Sequence, residues 1–196
     1  MAPLELFRRH TARVTGTFLG RLKSGEFEPN YSLSLAQKAA AAAPALAFGD
    51  ATHAWAPPDW LQQSAEVVKG DANHVLLVVD SVHSWTEAAP AEVDEYTALN
   101  DGLGALRRIA RSLQCPVLAI AERNRAKMSA GGLDASAGSR RFEYGAESVL
   151  ALNREKDEGA DGEAKITLTI EKNRNGASGR RMNLLFNGAL QRFTEA

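Results

Sequence analysis

The sequence predicts an α/β fold with a parallel central sheet and an antiparallel hairpin near its C-terminus. The apolar run Val75–Val79 is rich in β-branched residues, which is typical of a strand in a parallel sheet. A helical pattern and a second apolar run, Pro116–Ala121, follow it, and this alternation favours parallel strands joined by a helix. Farther along, Asn175-Gly176 separates two strand-like segments and predicts the hairpin turn.

The composition is that of a folded globular chain. Of its 196 residues, 44% are hydrophobic and 24% are charged, which excludes an intrinsically disordered protein. The net charge of -1 indicates that any nucleic-acid contact comes from a local basic patch. Cys115 is the single cysteine, so no internal disulfide can form, and a reducing, cytoplasmic setting fits. Because no apolar run reaches about 18 residues, we expect no membrane partner.

We expect a single domain over 1–196, with a helical segment over about 1–70 and the strands over about 71–196. In the first segment, the proline and glycine positions and an alanine-rich run indicate where helices begin and end. The predicted helices lie at 4–22, at 33–43 and from Pro57 to Lys69, with a short strand at 45–48.

In the second segment, a long helix over about 91–113 carries one apolar stripe, with three arginines lying away from it. Residues 123–141 are polar and rich in glycine and basic side chains, which predicts a loop, and a second loop is expected at 157–162. Further strands are predicted at 148–152, 166–170 and 182–186.

Two acids follow the apolar strands, Asp80 after the first and Glu122 after the second. Ligands of parallel sheets bind beyond the carboxyl ends of the strands, and an acid there can hold Mg²⁺ against the phosphates of ATP. The alternative is a plain turn residue or helix cap. The sequence contains no G-x-x-x-x-G-K-[ST] phosphate-binding loop, and its four histidines lack metal-ligand spacing.

The C-terminal segment Glu171–Gly179, followed by Leu184–Gly188 and Arg192-Phe193, resembles the hairpin of the motor domain in DnaB-type replicative helicases. Four other segments are similar to motifs of that family: Arg21–Gly25, Val78–His83, Pro116–Arg125 and Phe142–Val149. The resemblance implies a RecA-like three-layer core whose N-terminal part, including the Walker A segment, is missing. The chain would then be a gene fragment, an engineered truncation or a natural relative without the loop, and we favour the fragment.

The resemblance also implies roles for individual side chains. Asp80, at the Walker B strand, would order Mg²⁺, and Glu5, in Leu4-Glu5-Leu6, would polarise the water that attacks ATP. Lys172 and Arg174 would reach the γ-phosphate bound to a neighbouring subunit. The alternatives are a first-turn helix acid for Glu5 and a charged sheet edge for the two cations.

The expected cofactors are therefore ATP and Mg²⁺, and the expected partners are single-stranded DNA and further copies of the chain in a hexameric ring. The DNA contacts would come from the basic loop, although an ordinary solvated loop is the alternative. The residues expected to bind DNA are Arg123, Arg125, Lys127, Gly138, Ser139, Arg140 and Arg141.

Two positions depart from the family pattern. Glu122 stands where the family has the glutamine that senses the γ-phosphate, and His83 stands where it has another glutamine near the nucleotide. A carboxylate 4 Å from a phosphate charge costs roughly 4 kcal/mol at an effective dielectric of about 20. These departures indicate a diverged paralogue. The main alternative function is a non-hydrolysing regulatory or scaffolding module, and a third is a recombination- or clock-type ATPase of the same superfamily.

Overall fold

The structure, a computed structural model, describes residues 2–51, 54–90, 93–121, 145–158 and 163–196, with the backbone alone at 156–158. In these ranges the chain forms six helices and six strands. In chain order they are α1 (Pro3–Thr15), α2 (Leu19–Ser24), α3 (Pro29–Ala42), α4 (Pro58–Lys69), β1 (Leu77–Asp80), α5 (Val82–Glu87), α6 (Glu95–Leu113), β2 (Val117–Ile120), β3 (Ser148–Glu158), β4 (Ala164–Asn173), β5 (Arg181–Asn187) and β6 (Arg192–Glu195).

The chain divides into two compact units, Met1–Gly49 with Ser148–Ala196, and Asp50–Glu147. We call them the ion-paired unit and the apolar unit, because the ion pairs among the described residues lie in the first and the large buried apolar cluster lies in the second. The predicted α/β class is confirmed. The sequence predicts one mixed sheet, whereas the described strands form a parallel pair, β1–β2, and an antiparallel sheet, β3–β4–β5–β6.

The ion-paired unit begins with two helices where the sequence predicts one. The prediction of one helix over 4–22 is wrong, because Gly16 adopts a left-handed conformation (φ 68°) and ends α1. The Gly16 N–H donates to the Ala12 carbonyl at 3.0 Å, and the chain turns before α2 begins. The strand predicted at 45–48 is also wrong. Ala45 lies in a turn that the Leu46 N–H closes by donating to the Ala43 carbonyl, and 46–48 have no regular secondary structure.

The antiparallel sheet of this unit contains the predicted hairpin, and its strands are longer than the sequence suggested. In β4, Ala164 pairs with Phe186 and Thr169 with Arg181, which sets the register of the β4–β5 hairpin. Beyond Thr169, Ile170 still forms backbone hydrogen bonds with Gly179 and Arg180, and the rest of β4 pairs with β3 alone, where Lys172 is opposite Val149. The last strand, β6, pairs with β5 and was not expected from the sequence.

The apolar unit contains the parallel strand pair and the helices that pack on it. Leu77 of β1 is opposite Val117 of β2, and Asp80 is opposite Ile120. Only one face of this strand pair is buried among the described residues. Val79 is buried, whereas Val78, on the other face, is 48% exposed, because α5 and α6 pack against one face of the pair.

Close contact between α5 and α6 depends on a glycine. A Cβ atom added at Gly102 would lie 2.4 Å from Cγ2 of Thr86 and 3.2 Å from the Trp85 ring, so any side chain there displaces α5. Trp85 is itself fixed, since its indole N–H donates to the Ala56 carbonyl at 2.7 Å. Along the described segments, none of the helices has the length and apolar character that crossing a membrane requires.

Candidate nucleotide and metal site

Asp80 is the last residue of β1, as the sequence predicts, and the carboxyl ends of β1 and β2 meet at one edge. Its side chain is exposed and forms no ion pair with the described residues. The peptide bond that joins it to Ser81 is cis. An exposed carboxylate without a cationic partner is available as a ligand for an ion.

The chain turns directly from Asp80 into α5. Ser81 caps the helix, and its hydroxyl oxygen accepts from the Ser84 N–H at 3.4 Å. His83 lies in the first turn of α5, three residues after Asp80, and is half-buried. Glu122, the other acid predicted for this edge, lies outside the described residues.

Within the described segments, no group of three or more acids, histidines or cysteines could enclose a metal ion. Mg²⁺ does not depend on such a group, because it keeps several waters and usually takes one or two carboxylates together with substrate phosphates.

Glu5 occupies the first turn of α1 and is held by two cations. Its Oε1 atom lies 2.6 Å from Lys23 Nζ in α2 and accepts from Arg9 Nε, one helical turn away, at 3.3 Å. Arg9 also donates through Nη1 to the side-chain oxygen of Gln191 at 3.1 Å. The Glu5 side chain is 22% exposed. We call Glu5, Lys23, Arg9 and Gln191 the Glu5 clamp.

The clamp changes the chemistry of Glu5. The hydrogen bond from Lys23 is the largest cause that lowers the pKa of Glu5 below its ordinary value, with Arg9 adding to it and desolvation opposing it. Glu5 is therefore ionised at neutral pH and able to accept a hydrogen bond from water. Sequence analysis named Glu5 and missed Lys23 and Arg9. The Glu5–Arg9 spacing of four on one helix was the available signal for Arg9.

Lys172 and Arg174 lie at the end of β4 that extends past β5. Lys172 is half-buried within the strand, while Arg174 is exposed in the turn that follows. Lys172 is thus a strand residue, whereas Arg174 is a turn residue. The turn is fixed by Asn173, whose side-chain oxygen accepts from the Asn175 N–H at 3.2 Å, and a Cβ at Gly176 would meet the same side chain at 2.8 Å.

The predicted DNA-binding residues all fall in 122–144 and lie outside the described residues. They are Arg123, Arg125, Lys127, Gly138, Ser139, Arg140 and Arg141. The predicted site residues that the structure describes are divided between the two units. Asp80 and His83 belong to the apolar unit, and Glu5, Lys172 and Arg174 belong to the ion-paired unit.

A family model of the DnaB-like helicase C-terminal domain matches residues 1–195. The chain belongs to this family. The resemblance to DnaB-type helicases that the sequence motifs suggested is thereby confirmed, and it extends over both units of the DnaB-like domain. No curated protein matches the chain.

Two solved structures share the fold of this DnaB-like domain. A DnaB-like replicative helicase, studied with its interactions with primase, matches at a TM-score of 0.78 and 16% identity, over 98% of this chain and 48% of its own. A separately solved ATPase domain matches at a TM-score of 0.80 and 16% identity, over 100% of this chain and 72% of its own. The chain thus spans about half the length of the first structure, and the predicted RecA-like architecture is confirmed.

Proposed function

We propose that this chain is part of an ATP-dependent, ring-forming DNA helicase motor that moves on single-stranded DNA in replication. The observation that carries the proposal is the family match over residues 1–195. The exposed Asp80 at the strand edge and the cations on the extended end of β4 support it, because a nucleotide motor needs an acid for its metal and cations for the phosphates.

In this motor, Asp80 would hold Mg²⁺, and His83, in the first turn of α5, would hydrogen-bond the nucleotide or its water. Bound Mg²⁺ would neutralise charge on the β- and γ-phosphates. Glu5 orients the attacking water through its carboxylate. Lys172 and Arg174 act on nucleotide bound to a neighbouring subunit, and Arg174 matters more because its guanidinium can meet two phosphate oxygens at once.

The partners in this proposal are single-stranded DNA and identical subunits in a hexameric ring. DNA would be gripped by the basic residues of 123–141, where arginines neutralise phosphates and glycines permit close approach of the backbone. Glu122 would face the γ-phosphate with a charge that repels it. We therefore expect slower ATP hydrolysis than with a glutamine at this position.

A strand-displacement and ATP-hydrolysis assay on the full-length gene product tests the proposal. We expect DNA-stimulated hydrolysis, lost in Asp80→Ala and kept in the matched control Asp71→Ala, an exposed acid in the turn after α4. A full-length protein that forms rings and binds DNA without hydrolysing ATP would contradict the motor. That result would favour the scaffolding alternative, which the comparisons do not favour.

A further inference from the structure

The two carboxylate oxygens of Glu5 have different surroundings. The ion-pair distances to Lys23 and Arg9 are both measured at Oε1, and no hydrogen bond from a described residue reaches Oε2. A carboxylate held at one oxygen by two cations from different helices has little rotational freedom left. The second oxygen therefore points in a direction that the clamp determines.

Arg9 connects this carboxylate to the turn between β5 and β6. Its guanidinium uses Nε for Glu5 and Nη1 for Gln191, so the two contacts share one rigid plane. Gln191 is fixed in turn by donating to the Gly188 carbonyl and by a left-handed backbone (φ 52°). The same turn receives a hydrogen bond from the Leu19 N–H at the start of α2, through the Ala189 carbonyl at 2.8 Å.

We propose that Lys23 and Arg9 are positioning residues that hold Oε1 of Glu5 so that Oε2 is the oxygen that orients the attacking water. Through Arg9, the β5–β6 turn at Gln191 sets the orientation of the carboxylate. This inference rests on the proposed motor function and adds three residues to it that act through Glu5.

The charged groups that face Glu5 are Arg9 from its own helix and Lys23 from α2. In α3, the Ala39 carbonyl is hydrogen-bonded to His10 Nε2 of α1 at 2.9 Å, and this carbonyl carries no charge. Removing one cation should therefore change Glu5 without disturbing a larger network. Lys23 is half-exposed, so its replacement creates no cavity in a core.

The first experiment is an NMR titration of the Glu5 carboxyl carbon in this chain. In Lys23→Met, the pKa of Glu5 should rise toward its ordinary value of 4.5, and Lys23→Arg should restore the lowered value. Lys38→Met, which removes an equal charge from the exposed side of α3, is the matched control and should leave the titration unchanged. A Glu5 pKa that does not respond to Lys23→Met overturns the clamp.

The second experiment is the pH profile of ATP hydrolysis in the full-length protein. Lys23→Met should lower kcat by about 10–100-fold with little change in KM, and should move the acidic limb of the profile to higher pH. Lys23→Arg should recover most of the rate. Gln191→Asn, which keeps a residue that tolerates the left-handed conformation but shortens its reach to Arg9, should cause a smaller loss in kcat.

The two experiments separate the possible failures. If the titration changes as expected but the kcat profile of Lys23→Met equals that of the unchanged protein, the ion pairs are structural and the positioning role is wrong. If the unchanged full-length protein hydrolyses no ATP while Glu5 still titrates below its ordinary range, the motor function fails, and the positioning role fails with it although the clamp exists.

Discussion

The two units of the chain are stabilised in different ways. In the apolar unit, large side chains such as Trp85, Leu99 and Ile109 are buried in one cluster. In the ion-paired unit, the buried residues are mostly small, such as Ala12 and Ala39, and the unit contains the ion pairs found among the described residues and the four-stranded sheet. Burial of large apolar groups stabilises a fold by about 25 cal/mol per Å², whereas exposed ion pairs contribute little.

The two candidate acids, Asp80 and Glu5, also have different chemical surroundings. Asp80 is exposed at the end of a strand of the apolar unit, with no cation in ion-pair distance among the described residues. Glu5, in the ion-paired unit, already has two cations on one oxygen and is poorly suited to hold a metal. An acid without a partner suits a metal ligand, and an acid held in place suits the orientation of water.

The largest expected effect concerns cooperation between the ion-paired unit of one subunit and the apolar unit of another. Arg174→Ala and Asp80→Ala should each nearly abolish hydrolysis in the full-length protein, since a trans arginine is typically worth about 10³–10⁵ in rate. Rings mixed from the two variants should regain activity at interfaces that pair an intact Asp80 with an intact Arg174, as measured by steady-state hydrolysis.

Arg180→Ala, in the same hairpin, is the matched control and should leave hydrolysis near its starting level. Mixed rings that form, as shown by native mass spectrometry, but regain no activity would exclude a role in trans. The two cations would then be a charged sheet edge.

The packing of the apolar unit is tested at Gly102. Gly102→Ala should destabilise the chain by about 1–3 kcal/mol through overpacking against Thr86, measured by urea unfolding. Gly104→Ala, whose added Cβ would meet only the Arg108 guanidinium at 3.5 Å, should instead be neutral or stabilising by up to about 1 kcal/mol. If both variants behave alike, the close contact of α5 and α6 is not what constrains Gly102.

A further test addresses the basic loop, which belongs to the sequence of the apolar unit. Arg140→Ala with Arg141→Ala should weaken binding to single-stranded DNA regardless of base sequence. It should also flatten the slope of log affinity against log salt by about 0.7 per lost phosphate contact. Fluorescence anisotropy at several salt concentrations measures this slope. Replacing Arg108 and Arg111, exposed arginines of α6, is the control. An equal flattening of the slope in that variant would mean that the effect is not specific to Arg140 and Arg141.

The smallest expected effect is the pH dependence of the ion-paired unit. Because the pKa of Glu5 is lowered in the folded chain, its ion pairs stabilise the fold above the ordinary value of 4.5, and this contribution is lost as pH falls through the lowered pKa. Lys23→Met should therefore reduce the urea midpoint slightly at pH 7 and by less at pH 3. A loss of equal size at both values would mean that Lys23 acts through packing.

Features that depend on local chemistry could be predicted from the sequence. Gly70 ends α4 where expected, the Asn175-Gly176 pair lies in the β4–β5 connection, and the apolar run before Asp80 forms the parallel strand. Each of these follows from conformational freedom or apolar patterning over a few neighbouring residues.

Features that depend on distant residues could not be predicted in the same way. The pairing of Lys23 with Glu5 requires the turn at Gly16, and the Arg9–Gln191 contact joins opposite ends of the chain. The separation into two sheets likewise depends on which strands pair, and the apolar patterns of β2 and β3 alone do not specify that choice. The family motifs include Glu5, and its spacing of four from Arg9 is a signal in the sequence, whereas Lys23 is identified only by its proximity in three dimensions.

The contact at Gly102 has a consequence for the strand edge more than twenty positions earlier in the chain. A single residue, Ser81, separates Asp80 from the helix that rests against this glycine. Moving α5 away from α6 would therefore move Asp80 as well. The missing side chain at Gly102 thus lets α5 lie close to α6, and the position of Asp80 at the sheet edge follows from how closely these two helices can touch.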